Sequence, residues 1–110
     1  MKTLVIHHPE DKVVEEDKKS FAKCVTTGIG EGFAISREKA ASLVVGDKVV
    51  ILCSTRGYEQ RAEGEFVKLV HSGQTKSGLK RYYVYIDNIS IVPYHRNDFG
   101  KLNHNGIALF

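Results

Sequence analysis

The sequence predicts a mainly β, α+β domain: a small β-barrel with one short helix. Three observations carry that expectation. Residues 48–54 hold the unbroken apolar run Val49-Val50-Ile51-Leu52-Cys53, the pattern of a strand buried on both faces. Residues 80–86 alternate, with Tyr82, Val84 and Ile86 facing one way and Arg81, Tyr83 and Tyr85 the other, the pattern of a half-buried strand. The connections between residues 49–53, 61–70 and 80–86 are too short for crossover helices, so these three are expected as antiparallel neighbours. About six or seven short strands with one helix suit a small barrel.

Taken in order, residues 3–7 are β-rich and stop before Pro9, which predicts a first strand. Residues 10–20 are a charge run expected as an exposed loop or loose helical turn. Residues 21–27 read as a second strand, with Phe21, Lys23 and Val25 on one face and Ala22, Cys24 and Thr26 on the other. Gly28-Ile29-Gly30-Glu31-Gly32 reads as a flexible connector. Ser36 is placed to cap a helix over residues 37–43, and Val44-Val45-Gly46-Asp47 ends it and turns the chain. Residues 61–70 form another strand. Its alternation changes phase at Phe66-Val67, just after Gly64, as a bulge or barrel corner requires. Residues 71–78 are polar and rich in Gly and Ser, and read as a surface loop. Residues 88–92 extend the strand at 80–86, residues 94–105 are an irregular polar tail, and residues 106–110 supply a last short strand.

Composition narrows the function classes. The 110 residues fit one domain, 1–110, able to bury a core without metals or disulfides. Apolar residues are 42% and charged residues 26%, which excludes a disordered chain, and no apolar run approaches the roughly 20 residues of a membrane helix. The N-terminus lacks the form of a signal peptide, so a cytoplasmic protein is expected. Cys24 and Cys53 lie in apolar runs and are expected to be reduced and buried. No metal-ligand spacing of Cys or His occurs, so neither metal nor cofactor is expected. The net charge of +3 permits nucleic-acid binding without requiring it.

Between residues 28 and 70 a Gly-rich loop leads through Phe33 into a helix opening Ser36-Arg37. A Val-Gly-Asp turn then launches the buried strand at 49–53, and the next strand carries Ala62-x-Gly64-x-Phe66. This order resembles the PUA-like superfamily, which includes the ASCH, EVE and YTH domains. The resemblance covers about half of the chain. It implies a pseudo-barrel with a cleft beside the helix and a ligand that is RNA, single-stranded DNA or a modified base. The chain has no Trp, so base stacking would fall to Phe33, Tyr58, Tyr83 or Tyr94.

The residues themselves support a non-enzymatic binding module. Arg37, Lys39, Arg56 and Arg61 supply cations for phosphates, while Phe33, Tyr58 and Tyr83 supply planes for unpaired bases. With Ser54 they make up the expected site, between the glycine loop and residues 54–58. No catalytic residue is assigned. An ASCH-like hydrolase of a nucleoside-like substrate would use Lys39, Glu63 or Glu65, and a third reading is a protein-interaction barrel. Glu65 and Lys68 are three apart, which places them on opposite faces of a regular strand and argues against a metal-dependent nuclease.

Overall fold

The computed structural model of the chain describes residues 2–7, 21–53, 60–93 and 107–110. In chain order the elements are β1 (Thr3–His7), α1 (Phe21–Thr27), β2 (Ile29–Ala34), α2 (Arg37–Ser42), β3 (Lys48–Cys53), β4 (Gln60–Gln74), β5 (Lys80–Val92) and β6 (Ile107–Leu109). The six strands form one sheet in the order β2-β5-β4-β3-β1-β6. The fold is thus mainly β with short helices. The strands at 49–53, 61–70 and 80–86 are antiparallel as expected, with β4 pairing on one side to β3 and on the other to β5. One ladder is parallel: β1 pairs with β3, Val5 opposite Val50.

The apolar run of β3 is buried on both faces, with Val49, Val50, Ile51 and Cys53 all at 0% exposure. Val49, Ile51 and Cys53 join Leu4, Ile6, Ala62, Phe66, Val84 and Ile86 in the core on one side of the sheet. Val5 and Val50 are sealed on the other side. The change of phase in β4 is a pair of bulges, one between Glu63 and Glu65 and one between Phe66 and Lys68.

The sheet is not a closed barrel. Its edge strands are β2 and β6, and among the described residues no ladder joins them. The sheet instead curls until β1 and β2 meet across the core. A Cβ at Gly30 would lie 3.0 Å from the Phe33 ring and 3.1 Å from Ile6 Cδ1.

Residues 21–27 are a helix and not a strand. Phe21, Cys24 and Val25 fall at i, i+3 and i+4 and pack together on the core, a spacing only a helix gives. Thr27 Oγ1 donates to the Lys23 carbonyl at 2.8 Å, and the Gly28 N–H donates to the Cys24 carbonyl at 2.9 Å. The expected flexible connector is therefore two things: Gly28 ends α1, and Gly30 and Gly32 lie in edge strand β2. With α1, the described chain has two helices where one was expected. The expected cap of α2 is present, Ser36 Oγ accepting from the Lys39 N–H at 3.3 Å. The first half of the expected loop at 71–78 is strand, and β4 and β5 run on to a tight turn at residues 75–79. The regions 10–20 and 94–105 lie outside the described residues. Cys24 and Cys53 are free and buried; burial, with Glu31 nearby, pushes the Cys24 thiol up to about 12.

Two carboxylates fasten the start of β3. Asp47 accepts the Val44 N–H at 3.0 Å and the Lys2 N–H at 3.1 Å, and the Phe66 N–H donates to its carbonyl at 2.7 Å. Glu63 bridges Lys48 at 2.7 Å and Arg61 at 2.8 Å. The Val44 N–H holds the Asp47 carboxyl below its ordinary value, and the Lys48 ammonium does the same for Glu63. Burial pushes the half-buried His7 imidazole down.

All three groups bind protons less readily folded than unfolded. Stability should be full near neutral pH and fall in two stages, below about 6.5 for His7 and below about 4 for the carboxylates. Asp47→Asn should lower the melting temperature at neutral pH, because the amide has one acceptor for two N–H groups. It should also shrink the second stage. Thermal denaturation from about pH 8 to about pH 3 measures both.

Candidate nucleic-acid interface

The net positive charge of this chain is carried by one acid-free segment. Residues 66–86 carry Lys68, Lys76, Lys80 and Arg81 and no Asp or Glu, although the chain as a whole is only +3. The remainder is therefore slightly acidic on balance. The same stretch holds Tyr82, Tyr83 and Tyr85. The fold makes this segment the distal part of the β4–β5 hairpin, the longest strand pair in the sheet.

The hairpin tip is well fastened. The Thr75 N–H donates to the Leu79 carbonyl at 2.8 Å, and the Gly78 N–H donates to the Thr75 carbonyl at 3.0 Å. Thr75 Oγ1 also accepts the Leu79 N–H at 3.1 Å. Gly78 takes φ +91°, a left-handed value that closes a three-residue hairpin turn without steric cost. Lys76 stands exposed at this tip.

The two faces of the hairpin differ. On the face turned from the core, Tyr83 lies opposite Val70 and Tyr85 opposite Lys68. Lys68 Nζ sits 4.8 Å from the Tyr85 ring centroid, an attractive ammonium–ring geometry. Tyr83 and Val70 are each 37% exposed. On the core side, His71 faces Tyr82 with ring centroids 6.0 Å apart and planes at 59°. Beyond that pair an open groove of about 420 Å³ runs between the start of α2 and the start of β5. It is lined by Ile35, Arg37, Gly78, Leu79, Lys80 and Tyr82. The Ile35 N–H donates to the Lys80 carbonyl at 3.2 Å and ties its two walls.

The expected site residues separate. Arg37 is exposed on the groove, with Lys39 half-buried two residues along α2. Tyr83 is on the outer face of β5. Phe33 is a core residue at 6% exposure; the pleat of β2 turns its ring inward, so it offers no plane to a base. Arg61 is 8% exposed and paired to Glu63, which makes it a sheet fastener and not a phosphate contact. Ser54, Arg56 and Tyr58 lie outside the described residues, and with them one wall of the expected cleft. The other wall, residues 28–32, is helix end and edge strand. Residue type and spacing alone did not pick out Lys68, Tyr82 and Tyr85. The absence of any acidic residue across 66–86 was the signal for them.

The hydrolase residues are not brought together. α2 packs on the core side through Ala40, whereas Glu63 is engaged with Lys48 and Arg61 on the far side of the sheet. The bulge between Phe66 and Lys68 does carry Glu65 and Lys68 to one face, against the expectation for a regular strand. Lys68 there lies over Tyr85, and Glu65 accepts from Asn88 Nδ2 at 2.7 Å. Among the described residues no group of three His, Cys, Asp or Glu could hold a metal ion, and no helix is long and apolar enough to cross a membrane.

Comparison of the chain with protein-family models, with curated proteins and with solved structures gives no match.

Proposed function

We propose that this chain is a non-enzymatic module that binds single-stranded nucleic acid through the β4–β5 hairpin. The observation that carries the reading is charge segregation: four cations and three tyrosines within residues 66–86, the distal part of the hairpin, where no carboxylate occurs, Glu63, Glu65 and Asp87 lying nearer its base. Phosphates pair with Lys and Arg, and unpaired bases stack on exposed rings. The outer face presents both at the spacing of paired strands, with Tyr83 and Tyr85 flanked by Lys68 and Arg81. Rings displayed in this way favour an unpaired strand over a duplex, whose bases are already stacked. The PUA-like resemblance points to the same ligand class, including RNA and modified bases.

The test is fluorescence anisotropy with labelled single-stranded RNA and DNA at about 50 and about 200 mM salt. Affinity should fall steeply with salt. The variant Lys68→Ala/Lys76→Ala changes two exposed side chains, so it should remain folded. It should flatten the log–log salt slope by about 0.7 for each phosphate no longer neutralised. Tyr83→Ala should weaken binding by about 1–3 kcal/mol at both salt concentrations, because stacking is not a counterion effect. Binding that is absent at low salt, or indifferent to the lysines, would overturn the reading. A duplex bound as tightly as a single strand would remove the single-strand assignment.

A further inference from the structure

We propose that the groove between α2 and β5 holds one nucleoside monophosphate unit, its phosphate between Arg37 and Lys80 and its base against Tyr82. The inference rests on the nucleic-acid reading and names what a second, distinct surface of the hairpin would take.

The groove has two chemical halves. One is apolar and aromatic. Ile35, at 1% exposure, forms its floor; Leu79 and Tyr82 line it as well. The Tyr82 ring is steadied from across the ladder by His71. The other half is cationic, from Arg37 and Lys80, and among the described residues no carboxylate lines it. An uncharged planar ring covalently joined to an anion uses both halves at once. A bare phosphate would leave the apolar half idle, and a nucleoside would leave two cations without an anion. Peptide acids carry the anion without the plane.

Size points the same way. At about 420 Å³ the groove lies near the lower end of the roughly 300–1,000 Å³ of small-molecule sites, room for one nucleotide and not for a run of them.

Its walls are preset. The Ile35–Lys80 backbone hydrogen bond fixes the separation of the two rims, and the hydroxyl of Ser36 anchors the first turn of α2, where Arg37 stands. The Thr75 hydrogen bonds lock Leu79 and Gly78 in the turn. A site that is rigid before binding loses less entropy on binding.

A free mononucleotide and an unpaired unit of a strand share this chemistry. The experiment is NMR titration of the uniformly ¹⁵N-labelled full chain with AMP, adenosine, ribose 5-phosphate and inorganic phosphate. AMP should shift the amides of Ile35, Arg37, Gly78, Leu79, Lys80 and Tyr82 along a saturating curve. Adenosine and ribose 5-phosphate should each bind at least about tenfold more weakly, since each lacks one half of the ligand. Arg37→Ala/Lys80→Ala should raise the AMP dissociation constant at least about tenfold, as expected when two charge-assisted hydrogen bonds are removed. Both side chains are exposed, so the rest of the spectrum should be unchanged. Displacement of AMP by a single-stranded oligonucleotide would identify the unit as part of a strand; no displacement would identify a free nucleotide.

Ribose 5-phosphate or inorganic phosphate binding as tightly as AMP would overturn the proposal, leaving a simple anion site. Absence of AMP shifts at the groove would overturn it outright. In that case oligonucleotide binding that still depends on Lys68 and Lys76 would show that the nucleic-acid reading survives without it.

Discussion

Phe21→Ala should cost about 3–5 kcal/mol, the usual range for emptying a buried phenylalanine site, and so a large share of the roughly 5–15 kcal/mol that holds a domain folded. Phe21 is 2% exposed and belongs to the core cluster with Cys24, Phe33 and Ile35. It opens α1, and this helix touches the sheet along β2 and β3. A seven-residue helix cannot stand by itself in water, so packing of Phe21, Cys24 and Val25 supplies what its length does not. The expected result is a urea midpoint shifted far down with little change in slope. Lys23→Ala is the control. Its ammonium makes a part-exposed ion pair with Glu31 at 3.4 Å, an interaction worth about 1 kcal/mol at most. Were residues 21–27 a strand, Phe21 and Lys23 would share one face and Cys24 would lie on the other. A small loss of stability at Phe21, or a large one at Lys23, would therefore count against the helix.

That helix marks the boundary of what the sequence could disclose. The run Val25-Thr26-Thr27 is β-branched, and local propensity reads it as strand. Propensity is overruled because the i, i+3, i+4 spacing of Phe21, Cys24 and Val25 lets all three reach the core at once, which alternation cannot do. β2 was hidden for the opposite reason. Its glycines look like a hinge, yet Gly30 is small because the Phe33 ring and Ile6 occupy the space beside it. β3, by contrast, was plain from its sequence, since a strand at the centre of a sheet must be apolar on both faces. The Ser36 cap was equally plain, being a local hydrogen bond between residues three apart. Closure of the sheet was not open to inspection: whether two edge strands meet depends on the summed curl of all six.

The candidate site divides along the same line. Arg37 and Tyr83 could be picked out by residue type, but residue type also picked out Phe33 and Arg61, whose burial depends on the pleat of strands and on the Glu63 carboxylate. The groove brings together Arg37 and Lys80, which are 43 positions apart in the chain, through a ladder between β2 and β5 that the glycine-rich reading of β2 did not contain. The full length of the hairpin was missed because its distal half is wet on both faces. Alternation of apolar and polar residues vanishes there, although the strands continue to Gln74 and from Lys80.

Gly64→Val should be the most damaging exchange on the sheet itself. The backbone at Gly64 has no left-handed φ, so the requirement for glycine is one of space. A Cβ at this position would lie 2.6 Å from Ile86 Cγ2, 2.8 Å from the Asp87 carbonyl oxygen and 3.1 Å from Ile89 Cγ1. The carbonyl belongs to the neighbouring strand and cannot turn aside as a long side chain can. Ile86 is 5% exposed and already in the core, so it has little room to retreat. Gly64 also sits between the paired residues Glu63 and Glu65 where the β4–β5 register shifts, so relief by sliding the strand would disturb the ladder that carries the hairpin. Forcing extra carbons into a filled site costs about 1–3 kcal/mol, occasionally more. Gly64→Ala should fall within that range, and Gly64→Val at or beyond its upper end. Denaturation midpoints of the two variants measure the order. An alanine variant as stable as the parent would mean that β4 and β5 do not touch at this point, and the hairpin's attachment to the sheet would have to be redrawn.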